Sequence, residues 1–171
     1  MLSKNLFIGV GGSGVNTVSR LINSGMRGAF LCISQRGEIP SPASENVVRI
    51  ALPETISFPI SEPWISKIRA QMDKANRVFL FVGLGGLTGT SLAIQLSQMR
   101  EMEIHATYPF ALERKRRKIA DEALSKIKGK MHLRHNDEFI KHPEMQSMPM
   151  NEYFRMMDEQ VCVELKREIG D

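Results

Sequence analysis

Leu6-Phe7-Ile8-Gly9-Val10-Gly11-Gly12-Ser13-Gly14-Val15-Asn16 and Val78-Phe79-Leu80-Phe81-Val82-Gly83-Leu84-Gly85-Gly86-Leu87-Thr88-Gly89-Thr90-Ser91 decide the fold of this chain. Each opens as a short apolar run, the pattern of a strand buried on both faces, and breaks into glycines. After the first, Val15, Val18 and Ile22 recur at helical spacing. A buried strand that ends in glycine and turns straight into a helix is the repeating unit of a parallel sheet, and it occurs twice. Working outward, Ala29–Ile33 reads as a second buried strand and Val47–Ile50 as a shorter third. Ser61 is placed to N-cap a helix with Pro63 in its first turn and a stripe of Trp64, Ile65, Ile68 and Met72. Helices near 89–101 and 113–128 bracket a strand around 103–107, a short strand covers 131–134, and a long helix occupies roughly 150–169. Strand alternating with helix predicts an α/β fold: a three-layer, Rossmann-like domain over residues 1–171, its parallel sheet flanked by helices on both sides.

The composition agrees and narrows the function classes. The 171 residues are 42% hydrophobic and 25% charged, an ordinary globular balance that excludes collagen, low-complexity disorder and a disulfide scaffold. Cys32 and Cys162 sit in apolar surroundings far apart in sequence, so both are expected to be reduced core residues of a cytoplasmic protein. No apolar run approaches the roughly 18 residues of a membrane span, and the start lacks a signal-peptide core. A net charge of +4 permits anionic ligands without requiring nucleic acid.

The glycine loops carry the chemistry. Without a Cβ the backbone turns tightly and presents N–H groups to an oxyanion, and the helix that follows adds its unpaired N–H groups and the positive end of its dipole. In a parallel sheet both loops lie at the carboxyl edge, where ligands of open α/β folds bind. Thr88 and Thr90 add hydroxyls for phosphate oxygens or a metal-bound water. Gly9, Gly11 and Gly14 also satisfy G-x-G-x-x-G, so an NADP site stands as an alternative, with Arg36 available for a 2′-phosphate, although it leaves the second loop unexplained. Neither loop ends in the Gly-Lys-Ser/Thr of a Walker A motif.

Taken in order, these motifs resemble the FtsZ/tubulin family of GTP-binding cytoskeletal proteins. G-V-G-G-S-G-V-N at 9–16 is similar to the family's first phosphate loop, and G-G-L-T-G-T-S at 85–91 to its tubulin signature. Pro109-Phe110-Ala111-Leu112-Glu113-Arg114-Lys115-Arg116-Arg117 resembles the bacterial P-F-x-F-E-G-K-R-R segment. Asn136-Asp137 resembles the later N-D segment, and the helix at 150–169 falls where the family has its central helix. The resemblance implies a single FtsZ-like nucleotide-binding domain that takes GTP or GDP, with Mg2+ as a candidate companion. It implies that Gly11, Gly12, Ser13 and Gly14 line the phosphates, with Asn16 on the base side. Gly85, Gly86, Thr88, Gly89 and Thr90 would form the other half of the cradle. Glu113 and Arg117 would address the ribose and base edge, and Asn136 the guanine. Aligning Phe154 with the family's Phe puts Asp158 where a base-contacting Asn stands, and a carboxylate can accept from guanine N1–H and N2–H.

Departures from the pattern shape the functional expectation. Leu87 stands where the family has Gly, Ser34-Gln35-Arg36 replaces N-T-D, and the family's γ-phosphate loop has no counterpart in the Pro-rich stretch at 53–63. The sequence ends at Asp171, at the end of the central helix, so the resemblance implies a truncated FtsZ-like protein without the catalytic loop and second domain. Such a chain is not expected to hydrolyse GTP alone, and no catalytic residue is assigned. The expected function is guanine-nucleotide binding coupled to association with a partner, capping or modulating FtsZ-like filaments in cell division. The alternative is a degenerate module that has lost its nucleotide and works by protein contact alone. Partners are expected to be a second copy or a full-length FtsZ-like protein.

The remaining features read as structural. Arg114–Lys118 opens a helix as a solvated basic face, without interleaved aromatics, so nucleic acid is not expected. The four histidines lack metal-ligand spacing with the cysteines, and no metal site is expected. On the last helix, Phe154, Met157, Val161 and Leu165 form the stripe expected to dock on the sheet. Met156 and Val163 lie off it, next to where the family's second domain would pack, and read either as a partner or homodimer contact or as a flexible core edge.

Overall fold

A computed structural model of the chain describes residues 3–35 and 46–170. Strands β1 (Ser3–Val10), β2 (Ala29–Ser34), β3 (Val47–Ala51), β4 (Ala75–Gly83), β5 (Glu103–Tyr108) and β6 (Lys130–His135) form one six-stranded sheet. Its order is β3-β2-β1-β4-β5-β6 and every neighbouring pair is parallel. The chain builds outward from β1 to β3, then returns to the other side of β1 to lay down β4. That reversal opens a crevice beyond the carboxyl ends of β1 and β4, the two strands that carry the glycine loops.

Period-two alternation divides the core in two. Leu6, Ile8, Val78, Leu80 and Val82 face one way and meet α2 (Trp64–Met72), α3 (Leu87–Met99) and α4 (Arg114–Leu124) through Ile68, Leu92, Leu96 and Ala120. Phe7, Phe79 and Phe81 face the other way and meet α1 (Gly11–Asn23) through Val15, Val18 and Leu21. The long α6 (Met150–Ile169) completes this second layer with Val161, Cys162 and Leu165. A short α5 (Glu138–Lys141) and a 3-10 turn, Pro143–Met145, join β6 to α6. Phe7 stacks on Phe30 and Phe79 at ring distances of 5.4 and 5.2 Å, which anchors the centre of the sheet. Cys32 and Cys162 are buried free thiols whose pKa values burial pushes up, so neither is a reactive thiolate.

Two sequence expectations change. The N-cap of α2 is Pro63, not Ser61, and no side chain caps it; the Ser61 carbonyl instead accepts from the Ile65 N–H at 3.2 Å. On α6 the buried stripe is Tyr153, Val161, Cys162 and Leu165, whereas Phe154 is exposed. At the N-terminal end of the helix Tyr153 packs edge-on to Phe139 at 4.6 Å, while Phe154 stands edge-on to Phe110 at 6.3 Å.

The aromatic row continues as Phe81, His105 and His132, register neighbours across β4, β5 and β6. Their rings stack at 5.2 Å and then 4.5 Å. His105 is buried and neither ring nitrogen has a hydrogen-bond partner. Burial, assisted by neighbouring His132 and the positive charges of Arg134 and Lys130 and opposed by Glu103, pulls its pKa from 6.5 down to about 3. Between those values the unfolded chain binds the proton that the folded chain refuses, so stability falls as pH drops from 6.5 toward 3, by about 1.4 kcal/mol per unit. His105→Phe keeps the stack and removes this slope. Urea unfolding at pH 7 and pH 5 should show the parent losing about 2 kcal/mol more than the variant. Equal losses would mean that His105 accepts its proton without cost.

Candidate functional site

Both glycine turns end at helix N-termini, and strand order sets them side by side. α1 starts at Gly11 directly after β1, and α3 starts at Leu87 after the turn that follows β4. Neither helix has a side-chain cap or an acidic residue in its first turn, which leaves first-turn N–H groups without side-chain partners. Gly11, at φ +68°, lies so close to the second loop that a Cβ there would come within 3.2 Å of the Gly89 Cα. At Gly12 and Gly86 a Cβ would meet nothing within 4 Å, so these two face open space.

That space is a cleft made of two adjoining cavities, about 380 and 370 Å³, which share Gly12, Ser13, Gly83 and Arg116. The first half is lined by Gly11, Gly86, Thr88 and Gly89, with Leu87 and Gln35 at its wall. Gln35 spans this end, accepting from the Thr88 hydroxyl and donating to the carbonyls of Pro53 and Glu54 at 3.3 and 3.4 Å. The Leu87 side chain is 68% exposed. The second half is lined by Asn16, Asn136, Phe154 and Asp158. Asn136 is held by its own N–H, which donates to the Tyr108 carbonyl at 3.0 Å, while its side-chain oxygen is buried without a partner. Asp158 accepts from the Thr17 hydroxyl at 2.5 Å and from Arg20 Nε at 3.1 Å. Burial pushes its pKa up against the pull of both donors.

The structure therefore brings Gly11, Gly12, Ser13, Asn16, Gly86, Thr88, Gly89, Asn136 and Asp158 to one cleft. It places the other expected residues elsewhere. Gly14 is buried on the side of α1 that meets β4, where a Cβ would lie 2.0 Å from the Phe81 carbonyl oxygen. Gly85 sits under α4, and its N–H donates to the buried Thr90 hydroxyl at 2.9 Å, so both shape the loop from within. Glu113 accepts from the Phe110 N–H at 2.9 Å and from Arg116 Nη1 at 2.7 Å. Arg117 turns away, with Nε on the Pro109 carbonyl at 3.1 Å, Nη2 on Asp137, and the guanidinium 5.0 Å over the Tyr108 ring. Arg36, the candidate for a 2′-phosphate, lies outside the described residues.

Of the other residues lining the cleft, Phe154 and Arg116 add an aromatic ring and a cation that the sequence did not single out for a ligand. Phe154 is 37% exposed in the second half, edge-on to Phe110 at 6.3 Å. Its signal is the i, i+4 spacing to Asp158, which sets both on one face. Arg116 stands at the junction of the two halves. Its signal is its place one turn before Ala120, the buried residue that marks the sheet-facing side of α4.

The arrangement suits a ligand with an anionic end and a flat polar end. Unpaired N–H groups at two helix starts and open glycine surface receive the first. An orphaned amide oxygen, a carboxylate and an aromatic ring receive the second. Among the described residues no group of three or more His, Cys, Asp or Glu is placed to hold a metal ion. No helix among them is long and apolar enough to cross a membrane.

No protein-family model matches the chain. Similarity to known proteins is nevertheless consistent. Cell division protein FtsZ 2 of Methanocaldococcus jannaschii is 26% identical over 179 aligned positions, covering 93% of this chain and 47% of that protein. Cell division protein FtsZ of Methanothermobacter thermautotrophicus is 28% identical, covering 92% and 46%. Among solved structures, the empty FtsZ dimer of M. jannaschii superposes with a TM-score of 0.74 at 24% identity, over 95% of this chain and 53% of that one. The chain thus spans about half the length of the relatives it matches. Sequence, strand order and the paired glycine loops agree in making this chain similar to the FtsZ/tubulin proteins, and it has the fold of their nucleotide-binding domain.

Proposed function

We propose that the chain binds a guanine nucleotide, GTP or GDP, across the cleft and acts by associating with another FtsZ-like chain. The observation that carries this is the convergence of two uncapped helix N-termini on one cleft whose far end holds an unpartnered amide oxygen. Phosphates would lie over Gly11, Gly12, Ser13, Gly86, Thr88 and Gly89. Asn136 and Asp158 would face the base, and two acceptors suit the adjacent N1–H and N2–H donors of guanine, where adenine offers an acceptor at N1. Asn16 and Phe154 complete that end. The names of the relatives support reading this as a cytoplasmic role in cell division, with a second copy or a longer FtsZ-like protein as the partner.

A specific observation supports the alternative of a nucleotide-free interaction module. Leu87 lines the phosphate half, Gln35 holds the Thr88 hydroxyl, and the Glu113 and Arg117 side chains are engaged away from the cleft. Titration calorimetry with GDP, GTP, ATP and NADP+ separates the readings. We expect one saturable site for GDP and GTP, and no competition from ATP or NADP+. Protein that purifies without nucleotide and binds none of the four belongs to the alternative. Residues 1–171 align with about half of a full-length FtsZ-like subunit, and through the proposed nucleotide face they would dock on one end of such a protein. Head-to-tail growth needs two complementary faces, so substoichiometric addition should shorten filaments seen by electron microscopy. Unchanged filament length would remove the support for this role.

A further inference from the structure

We infer that Arg116, and not its neighbour Arg117, is the cation through which the cleft engages the phosphate-bearing part of its ligand; this rests on the nucleotide reading above. Consecutive helix positions point about 100° apart, so one helix start cannot aim both guanidinium groups at the same cleft. Arg117 is spent: Pro109, Asp137 and the Tyr108 ring hold it on the opposite side, where it ties α4 to the segment after β6. Arg116 lines both cavities and, among the described residues, is the only cationic one lining either. The residues it shares between the halves, Gly12, Ser13 and Gly83, put it where the base end passes into the anionic end.

The local backbone explains the placement. Gly85 sits at φ +93°, and a Cβ there would come within 2.7 Å of both the Cβ and the carbonyl oxygen of Arg116. The second glycine loop therefore lies flush against the first turn of α4, and the Arg116 side chain leaves that turn over the loop. Glu113 one turn earlier accepts from Nη1 at 2.7 Å, which orients the guanidinium while other N–H donors remain. The pair is half exposed, and such surface pairs are weak. A phosphate offers stronger, charge-assisted hydrogen bonds and competes for the same fork. Asp158, the acid that lines the cleft's second half, is matched by Arg20. Among the described residues, then, Glu113 is the carboxylate that a phosphate would have to displace from Arg116.

The test compares Arg116→Gln, Arg117→Gln and Lys115→Gln by calorimetry with GDP, GMP and guanosine, with thermal melting as the check on folding. Lys115 is exposed on the same turn and controls for the loss of one positive charge. Arg116→Gln should melt with the parent and weaken GDP and GMP by at least about tenfold while changing guanosine far less. Its loss should also flatten the salt dependence of GDP binding relative to Lys115→Gln. Arg117→Gln should lower the melting temperature and keep the parent's ratio of GDP to guanosine affinity. Three results overturn the assignment: an unchanged GDP affinity in Arg116→Gln, an equal loss for guanosine, or the phosphate-dependent loss appearing in Arg117→Gln instead. A parent protein that binds no GDP overturns the nucleotide reading itself, and the role of Arg116 falls with it.

Discussion

Replacing Gly14 by Ala is expected to abolish the folded state or cost at least about 3 kcal/mol, although the change adds one methyl group. A Cβ at residue 14 would lie 2.0 Å from the Phe81 carbonyl oxygen and 2.9 Å from its carbon. The obstacle is backbone in the central strand β4, so no rotamer change relieves it. Gly9 is the complementary half of the contact, since its own Cβ would come within 2.5 Å of the Gly14 carbonyl oxygen. The two glycines let α1 lie directly on β1 and β4, and separating the helix from the sheet would loosen Val15, Val18 and Leu21 from the aromatic layer. Against a total stability of about 5–15 kcal/mol, that displacement is decisive. Gly12→Ala is the matched control, because its Cβ meets nothing within 4 Å and Ala favours a helix over Gly by about 1 kcal/mol. Thermal melts followed by circular dichroism would show the contrast. A Gly14→Ala protein melting within a few degrees of the parent would mean that α1 is not seated as described.

That contrast also marks how far sequence reasoning reaches. The spacing of Gly9, Gly11 and Gly14 after an apolar run is readable as a turn and a helix start, because residues without a Cβ are needed where the backbone turns tightly or packs closely. Which glycine packs and which faces a ligand is a matter of side, and side depends on β4 lying next to β1, a long-range pairing that local pattern does not contain. The same limit governs α4. Arg114–Lys118 is uniformly basic, so no apolar residue sets the helical phase until Ile119 and Ala120, and resemblance rather than geometry points to Arg117 over Arg116. On α6 the phase is legible but the environment is not. The stripe of Phe154, Met157, Val161 and Leu165 runs off the sheet at its first members, which border the cleft instead of the core. The bounds of α6 follow from its helical period, and the buried runs of β1, β2 and β4 from the continuous apolar signal that burial on both faces leaves.

Gly12→Val should leave the fold intact and weaken GDP or GTP by at least about 2 kcal/mol, roughly 30-fold. The first half of this follows from the open space around Gly12 and from the better helix propensity of Val relative to Gly. The second half follows from where that space is. Gly12 borders both cavities, beside Ser13 and across from Gly86, where the N-termini of α1 and α3 meet the cleft. A branched side chain there would fill the volume in which phosphate oxygens meet the first-turn N–H groups, and a buried N–H group that loses its acceptor costs about 1–3 kcal/mol. The position separates ligand space from packing space more cleanly than Gly14, since a folded variant that has lost its ligand cannot be explained by damage to the core. Parallel measurement of the melting temperature and of GDP affinity by calorimetry is sufficient. Parent-like binding by a parent-like fold would show that the cleft between the two loops is not where the phosphates lie. Loss of binding with an unchanged melting temperature in the absence of nucleotide would assign that cleft to the ligand, and the parent alone would gain stability when GDP is added.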